Sequence, residues 1–122
     1  MTAALTVEQQ AELRRAVEAE RRRVAHQVAA LGRDVDEIVA ASAMVATDDE
    51  HDPEGSTIAY ERAKASALLG LAERDLAALD EQLARIDDGR AATCTRCGGD
   101  ITLERLLALP VTTVCVACAA LS

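Results

Sequence analysis

Val24-Ala-His-Gln-Val28-Ala-Ala-Leu31-Gly-Arg-Asp-Val35-Asp-Glu-Ile38 is the stretch that decides the fold. Its apolar residues step by four, three, four and three, the period of a coiled-coil seam. The stripe extends back to Val17 and forward to Val45. It lies in a stretch from about Val7 to Ala46 that has no Pro and a single Gly, Gly32, and is rich in Ala, Glu, Arg and Gln. Those residues favour helix. A second stripe follows: Ile58, Ala65, Leu69, Ala72, Leu76, Leu79, Leu83 and Ile86, again alternating threes and fours from Leu69.

The two stripes mirror each other. Val17 falls opposite Ile86, Val24 opposite Leu79, Val28 opposite Leu76, Leu31 opposite Ala72, Val35 opposite Leu69, Ile38 opposite Ala65, and Val45 opposite Ile58. The partners' position numbers add to a nearly constant value, as antiparallel pairing about one turn requires, and half of that value is residue 52. The fold expected is therefore mostly α: a long antiparallel coiled-coil hairpin carrying a small C-terminal module. Each arm of roughly 30 residues would be about 45 Å long. Ser42 facing Arg62, and Arg21 beside Leu83, would be polar layers of a kind that coiled coils tolerate. Two separate helices pairing with other chains are the alternative. The mirror argues for the hairpin, and a monomer is expected.

Outward from the seam at one end is the turn, Thr47-Asp-Asp-Glu-His51-Asp-Pro-Glu-Gly55. Asp48, Asp49, Glu50, Asp52 and Glu54 would put five carboxylates at the end of a thin rod. Asp52-Pro53-Glu54 also reads as a helix start, with Asp as N-cap, Pro at the first helical position and Glu in the first turn. The spaced ligands and closing Glu of a calcium loop are absent. His51 lies among the acids, where it could meet a partner, whereas His26, beside the first seam, reads as a surface residue. At the other end, Asp88-Gly89 closes the second helix, with Gly89 as a left-handed cap. Residues before about Leu13 overshoot the second arm, so Leu5, Val7 and Leu13 should pack beside the C-terminal module.

That module holds the chain's four cysteines: Cys94-x-x-Cys97, seventeen intervening residues, then Cys115-x-x-Cys118. Two such pairs at this separation read as a tetrahedral site for one Zn2+ ion, with Cys94, Cys97, Cys115 and Cys118 as ligands. Gly98 and Gly99 follow the first pair, where the backbone must turn back tightly. Two disulfides would suit a secreted chain, and a redox pair a βαβ context; neither a signal peptide nor that pattern is present. Four protein ligands close the coordination shell, so the site reads as structural, not catalytic. In the insert, Leu103–Leu109 reads as a short helix ended by Pro110, and Val111–Val114 as an extended return. The expected division is residues 1–90 as hairpin, with its acidic tip at about 47–57, and residues 91–122 as the zinc module.

Composition narrows the function. The chain has 122 residues, one Tyr and no Phe or Trp, so it cannot build an aromatic core. Structural zinc would supply the missing cohesion, about 10–16 kcal/mol of apparent binding energy in small zinc modules. The net charge is −8 before any zinc-bound thiolates are counted. Nucleic-acid binding wants a basic face. Arg14-Arg15 and Arg21-Arg22-Arg23 are interleaved with glutamates and read as solvated helix surface, so no direct sequence-specific nucleic-acid binding is expected. No apolar run is long enough for a membrane span, and the cytoplasm is the expected compartment. No nucleophile–base pair, phosphate loop or shielded acid–base pair is present, so an enzyme is not expected.

The stretch Cys94-Thr-Arg-Cys97-Gly-Gly-Asp-Ile101-Thr-Leu-Glu104-Arg105-Leu106-Leu-Ala-Leu-Pro110, through Cys115-Val-Ala-Cys118, resembles the DksA/TraR four-cysteine zinc finger. The cysteine spacing, the Ile-x-x-x-Arg-Leu core and the Pro match that family's pattern, and the hairpin with its Asp-Pro tip extends the likeness over nearly the whole chain. The resemblance implies a transcription regulator that binds RNA polymerase, not DNA. In that family the coiled coil enters the polymerase's secondary channel, and a tip carboxylate acts near the active centre on the lifetime of promoter complexes. It implies the acting role for Asp52, with Asp48, Asp49, Glu50 and Glu54 around it. The family's tip pattern is Asp-Pro-x-Asp-x-Ala; here Gly55 stands for the second Asp and Thr57 for the Ala. Members that respond to the alarmone ppGpp use basic residues around the zinc module, where this chain has Leu109 and Ala119, so that dependence is not carried over. The tip departures motivate the alternative, a zinc-stabilised coiled-coil adaptor that binds polymerase or another protein without a tip activity.

Overall fold

In the computed structural model of the chain, residues 5–44 and 53–121 are described. Four helices follow in order: α1 (Val7–Met44), α2 (Pro53–Asp87), α3 (Leu103–Ala108) and α4 (Val116–Ala119). Among the described residues the one β-type pairing is an isolated antiparallel bridge between Thr93 and Asp100. The helices α1 and α2 form the long hairpin that the mirrored stripes require.

Local chemistry sets the helix ends. The hydroxyl of Thr6 accepts from the Gln9 amide at 3.1 Å, and the Gln9 side chain accepts from the Thr6 amide at 3.0 Å. This is a reciprocal capping box that starts α1. It puts Val7 in the first turn, well round the helix from the seam, and Val7 is 80% exposed. The expectation that Val7 would be covered is thus corrected; Leu13, one seam turn further in, is wholly buried and Leu5 half-buried. The helix α2 begins at Pro53 and ends in a Schellman motif. Gly89 takes φ +73°, its amide donates to the Ile86 carbonyl at 3.1 Å, and the Arg90 amide donates to the Arg85 carbonyl at 2.8 Å.

The chain divides into two compact units, one of Met1–Arg23 with Leu76–Ser122 and one of Val24–Asp75. In the first, both helices pack with the C-terminal module. Leu13, Val17, Leu79, Ile86, Ala91, Ala92, Ile101 and Leu106 form its core, together with one amide, Gln82. In heptad lettering, Val17, Val24, Leu31 and Ile38 take position d, and Arg14 and Arg21 stand at position a of the seam. Neither arginine is buried in it. Each reaches sideways to a carboxylate on position e of α2: Arg14 to Asp87, and Arg21 Nε to Asp80 Oδ1 at 2.5 Å. Arg21 therefore lies beside Leu83 in sequence register but is paired away from it. The Gln10 side chain donates to the Ile86 carbonyl at 2.6 Å and closes the open end of the pairing.

In the second unit the seam is thinner. Val24, Ala65 and Ala72 are buried, while Val28, Leu31, Val35, Ile38, Ile58 and Leu69 are half-buried. The layers that place alanine opposite leucine or isoleucine fill less space than a Leu–Leu layer. Val45, the expected partner of Ile58, lies outside the described residues.

Candidate metal centre

Each cysteine pair is presented by a short turn whose backbone amides point at sulfur. In the first, the Cys94 amide donates to the Gly99 carbonyl at 2.8 Å and the Gly98 amide to the Cys94 carbonyl at 3.0 Å. Gly98 takes φ +74°, which a side chain would strain. At Gly99 a Cβ would meet the Cys97 sulfur at 3.2 Å, so both glycines are shaped by the turn under the sulfurs. The Arg96 amide reaches Cys94 Sγ at 3.4 Å, and the Gly99 amide reaches Cys97 Sγ at 3.3 Å. In the second turn Cys115 caps α4, with the Cys118 amide 3.5 Å from its sulfur.

Three ties bring the turns together. The Thr95 amide and hydroxyl both donate to the Thr113 carbonyl, at 2.9 and 3.1 Å. Arg105 Nε donates to the Val114 carbonyl at 3.0 Å from α3, which Thr102 caps through the Arg105 amide. Leu106 and Ile101 are buried beneath, so each member of the Ile-x-x-x-Arg-Leu run has a role in the packing. Val111–Val114, read in the sequence as an extended return, is a hydrogen-bonded loop: the Thr112 hydroxyl donates to the Val114 carbonyl at 3.2 Å and ladder pairing is absent.

All four sulfurs lie within 4.8 Å of one another, and all four thiols are free of disulfides. Cys97 Sγ and Cys115 Sγ are 3.7 Å apart. The edge of a tetrahedron with zinc–sulfur bonds of about 2.3 Å is about 3.8 Å; a disulfide would need about 2.05 Å. Amides of Cys115 and Cys97 donate to the Cys94 sulfur and bring its pKa down to about 6. Cys118, crowded by the sulfurs of Cys97 and Cys115, is pushed up to about 12. Four thiolates this close repel one another unless a divalent cation sits among them. Donor set, spacing and amide support therefore fit one Zn2+.

Residues 89–122 match the family model described as the prokaryotic dksA/traR C4-type zinc finger. The module is a dksA/traR C4-type zinc finger. The chain as a whole is similar in fold to a structure of the transcription factor DksA2 from Pseudomonas aeruginosa, with a TM-score of 0.79 at 20% identity over 93% of this chain and 82% of that one. No curated protein matches the sequence.

The dksA/traR-type finger is anchored to α2 by polar side chains that the sequence reading passed over. Gln82, 1% exposed, donates to the Thr112 carbonyl at 3.4 Å, and its buried carbonyl oxygen has no hydrogen-bond partner. Arg85 donates to the carbonyls of Arg90 and Thr93, each at 3.0 Å. Burial first, then the charge of Arg90, lowers the pKa of Arg85. The faint signal for both was a polar residue wedged between seam positions near the finger.

Among the described residues the four cysteines are the one cluster able to hold a metal ion, and His26 is exposed on α1. No described helix is long and apolar enough to cross a membrane. Of the acidic turn, Asp48, Asp49, Glu50, His51 and Asp52 lie outside the described residues, and Glu54 falls in the first turn of α2.

Proposed function

We propose that this chain regulates transcription initiation by binding RNA polymerase, with the hairpin entering the secondary channel and the acidic turn acting near the active centre. In this reading one Zn2+, held by Cys94, Cys97, Cys115 and Cys118, is a purely structural staple, since four thiolates leave it no open position. Asp52 is the acting carboxylate, and Asp48, Asp49, Glu50 and Glu54 set the negative field around it. The observation that carries the reading is the joint presence of a dksA/traR C4-type finger and a hairpin fold like that of a transcription factor. The charge of −8 supports a protein partner over naked nucleic acid.

The test is binding and transcription with purified cognate polymerase. The protein should co-purify with the enzyme and change initiation at some promoters, and Asp52→Asn should remove that change while leaving binding in place. Absence of any complex with the polymerase would overturn the proposal. The second reading, an adaptor that occupies polymerase without tip chemistry, is favoured by Gly55 and Thr57 at the tip. It expects Asp52→Asn to leave every promoter effect as it was.

A further inference from the structure

The two flanks of the hairpin's seam differ in chemistry. On position e of α2, Asp80 and Asp87 take up Arg21 and Arg14. In the unit that holds the finger, position g carries Leu13 and Glu20 on α1 and Gln82 on α2; Leu13 and Gln82, nearest the finger, are wholly buried and Glu20 is half-buried. In the Val24–Asp75 unit the same lettered position carries Asp34 on α1 and Glu61 and Leu68 on α2, and all three are exposed.

There the flank is open as a groove of about 290 Å³. Its apolar lining is Leu31, Ile38, Ala65 and Leu68, and Ala65 offers only a methyl group at its seam position. Leu68 keeps 43% of its surface exposed. Asp34, Glu37 and Glu61 stand on the rim against a single cation, Lys64. None of these four makes a hydrogen bond or ion pair among the described residues. Coiled coils ordinarily balance such flanking positions with opposite charges across the helices; here three carboxylates surround an apolar floor and have no ion-pair partner among the described residues.

We propose that this groove is a docking site for a basic segment of the partner protein, one that seats an apolar side chain on Leu31, Ile38, Ala65 and Leu68 and sets Arg or Lys against Asp34, Glu37 and Glu61. It rests on the polymerase reading above and assigns the side of the hairpin that the enzyme grips. Complementary charge on the rim sets orientation and speeds encounter, while the apolar side chain supplies the buried contact. The rim is hostile to phosphates, so a nucleic-acid occupant does not fit it.

The experiment titrates the zinc-loaded full chain, fluorescently labelled, with cognate RNA polymerase. Glu37→Lys/Glu61→Lys reverses the rim, and Ala65→Leu fills the floor. Asp36→Lys/Glu81→Lys makes the same charge change at exposed positions off the groove. Circular dichroism checks that each variant keeps its helix. The two groove variants should weaken binding tenfold or more, with Ala65→Leu also raising the melting temperature, and the off-groove variant should stay within about twofold of wild type. Wild-type affinity in the groove variants, or an equal loss in the off-groove variant, would overturn the docking site while leaving polymerase binding intact. Failure of the wild type to bind would sink the polymerase reading and the docking with it. Self-association of the wild type in sedimentation, abolished by Ala65→Leu, would assign the groove to a second copy instead and overturn the proposal.

Discussion

The unit that contains the finger and the unit of Val24–Asp75 are built from the same two helices and the same heptad pattern, yet they are stabilised by different means. In the first, a third layer covers the seam: Leu13, Leu79, Ile86 and Leu106 are nearly inaccessible, and a zinc site staples the covering layer together. In the second, two helices meet along alanines and half-buried valines with no covering element among the described residues. A two-helix seam shields each side chain from one direction only, so it gains less from burial per residue than a three-layer core. The lesson is that a continuous heptad pattern does not imply uniform stability along it.

Metal removal should separate the units most sharply. Structural zinc contributes about 10–16 kcal/mol of apparent binding energy in small modules, and that energy becomes folding energy. A strong chelator should therefore expose the amides of residues 91–121 to hydrogen exchange by orders of magnitude, with a much smaller change across residues 24–44 and 57–75. Acid should act in the same direction. Each thiol must lose its proton to bind zinc, so lowering the pH favours the protonated, metal-free form, and zinc release followed with a colorimetric chelator should rise as pH falls. An equal loss of protection in both units would break the comparison.

Next in size is a matched pair of leucine truncations. Leu106→Ala removes a wholly buried side chain from the layer beneath the cysteines and should cost about 3 kcal/mol or more, as cavity-forming changes do. Leu31→Ala removes a half-buried one from the seam and should cost about half of that or less. Chemical denaturation of the zinc-loaded chains measures both. Similar costs would mean that the second unit is covered by something the two-helix seam does not provide.

The hairpin was legible because its signal is periodic and doubly recorded: two stripes, each apolar every three or four residues, in mirror order about one acidic turn. Gly89 and the cysteine pairs were legible because left-handed backbone and tetrahedral thiolate coordination each accept few residue types. What was not legible is which flank of the seam the finger would cover. Leu13 and Gln82 are both buried in the unit that holds the finger, Gln82 against the Thr112 carbonyl, and nothing in the pattern of α1 or α2 distinguishes their heptad position from that of Asp34 or Leu68. Val7 was misjudged for the opposite reason. The overshoot of α1 past the second arm points Val7 at the finger, whereas the Thr6–Gln9 cap fixes where the helix begins and Val7 is left exposed in its first turn.

Gln82 offers a smaller and more diagnostic effect. Its amide makes one long hydrogen bond and leaves a buried oxygen without a partner. An unpaired buried polar atom costs about 1–3 kcal/mol, more than a stretched hydrogen bond returns. Gln82→Leu should therefore stabilise the zinc-loaded chain by about 1 kcal/mol, and Gln82→Ala, which opens a cavity instead, should destabilise it. A loss of stability in Gln82→Leu would show that the Thr112 contact positions the finger and that polar anchoring, not apolar covering, distinguishes this unit.

The smallest effect belongs to the ion pairs on position e. Arg21 and Asp80 are close enough to hydrogen-bond, but both side chains remain about half exposed, with 40% and 52% of their surface accessible. Water and salt screen such a pair, and ordering two side chains offsets much of its attraction. Asp80→Asn should shift the melting temperature barely at all, and what shift there is should fade as salt is raised. Arg21→Leu is the sharper variant, since it places an apolar side chain at position a in the seam where the arginine now turns away. It should raise the melting temperature at every salt concentration. If it lowers it, the arginine is holding the two helices in register, and the stability of the finger-bearing unit owes more to its flank than to its covering layer.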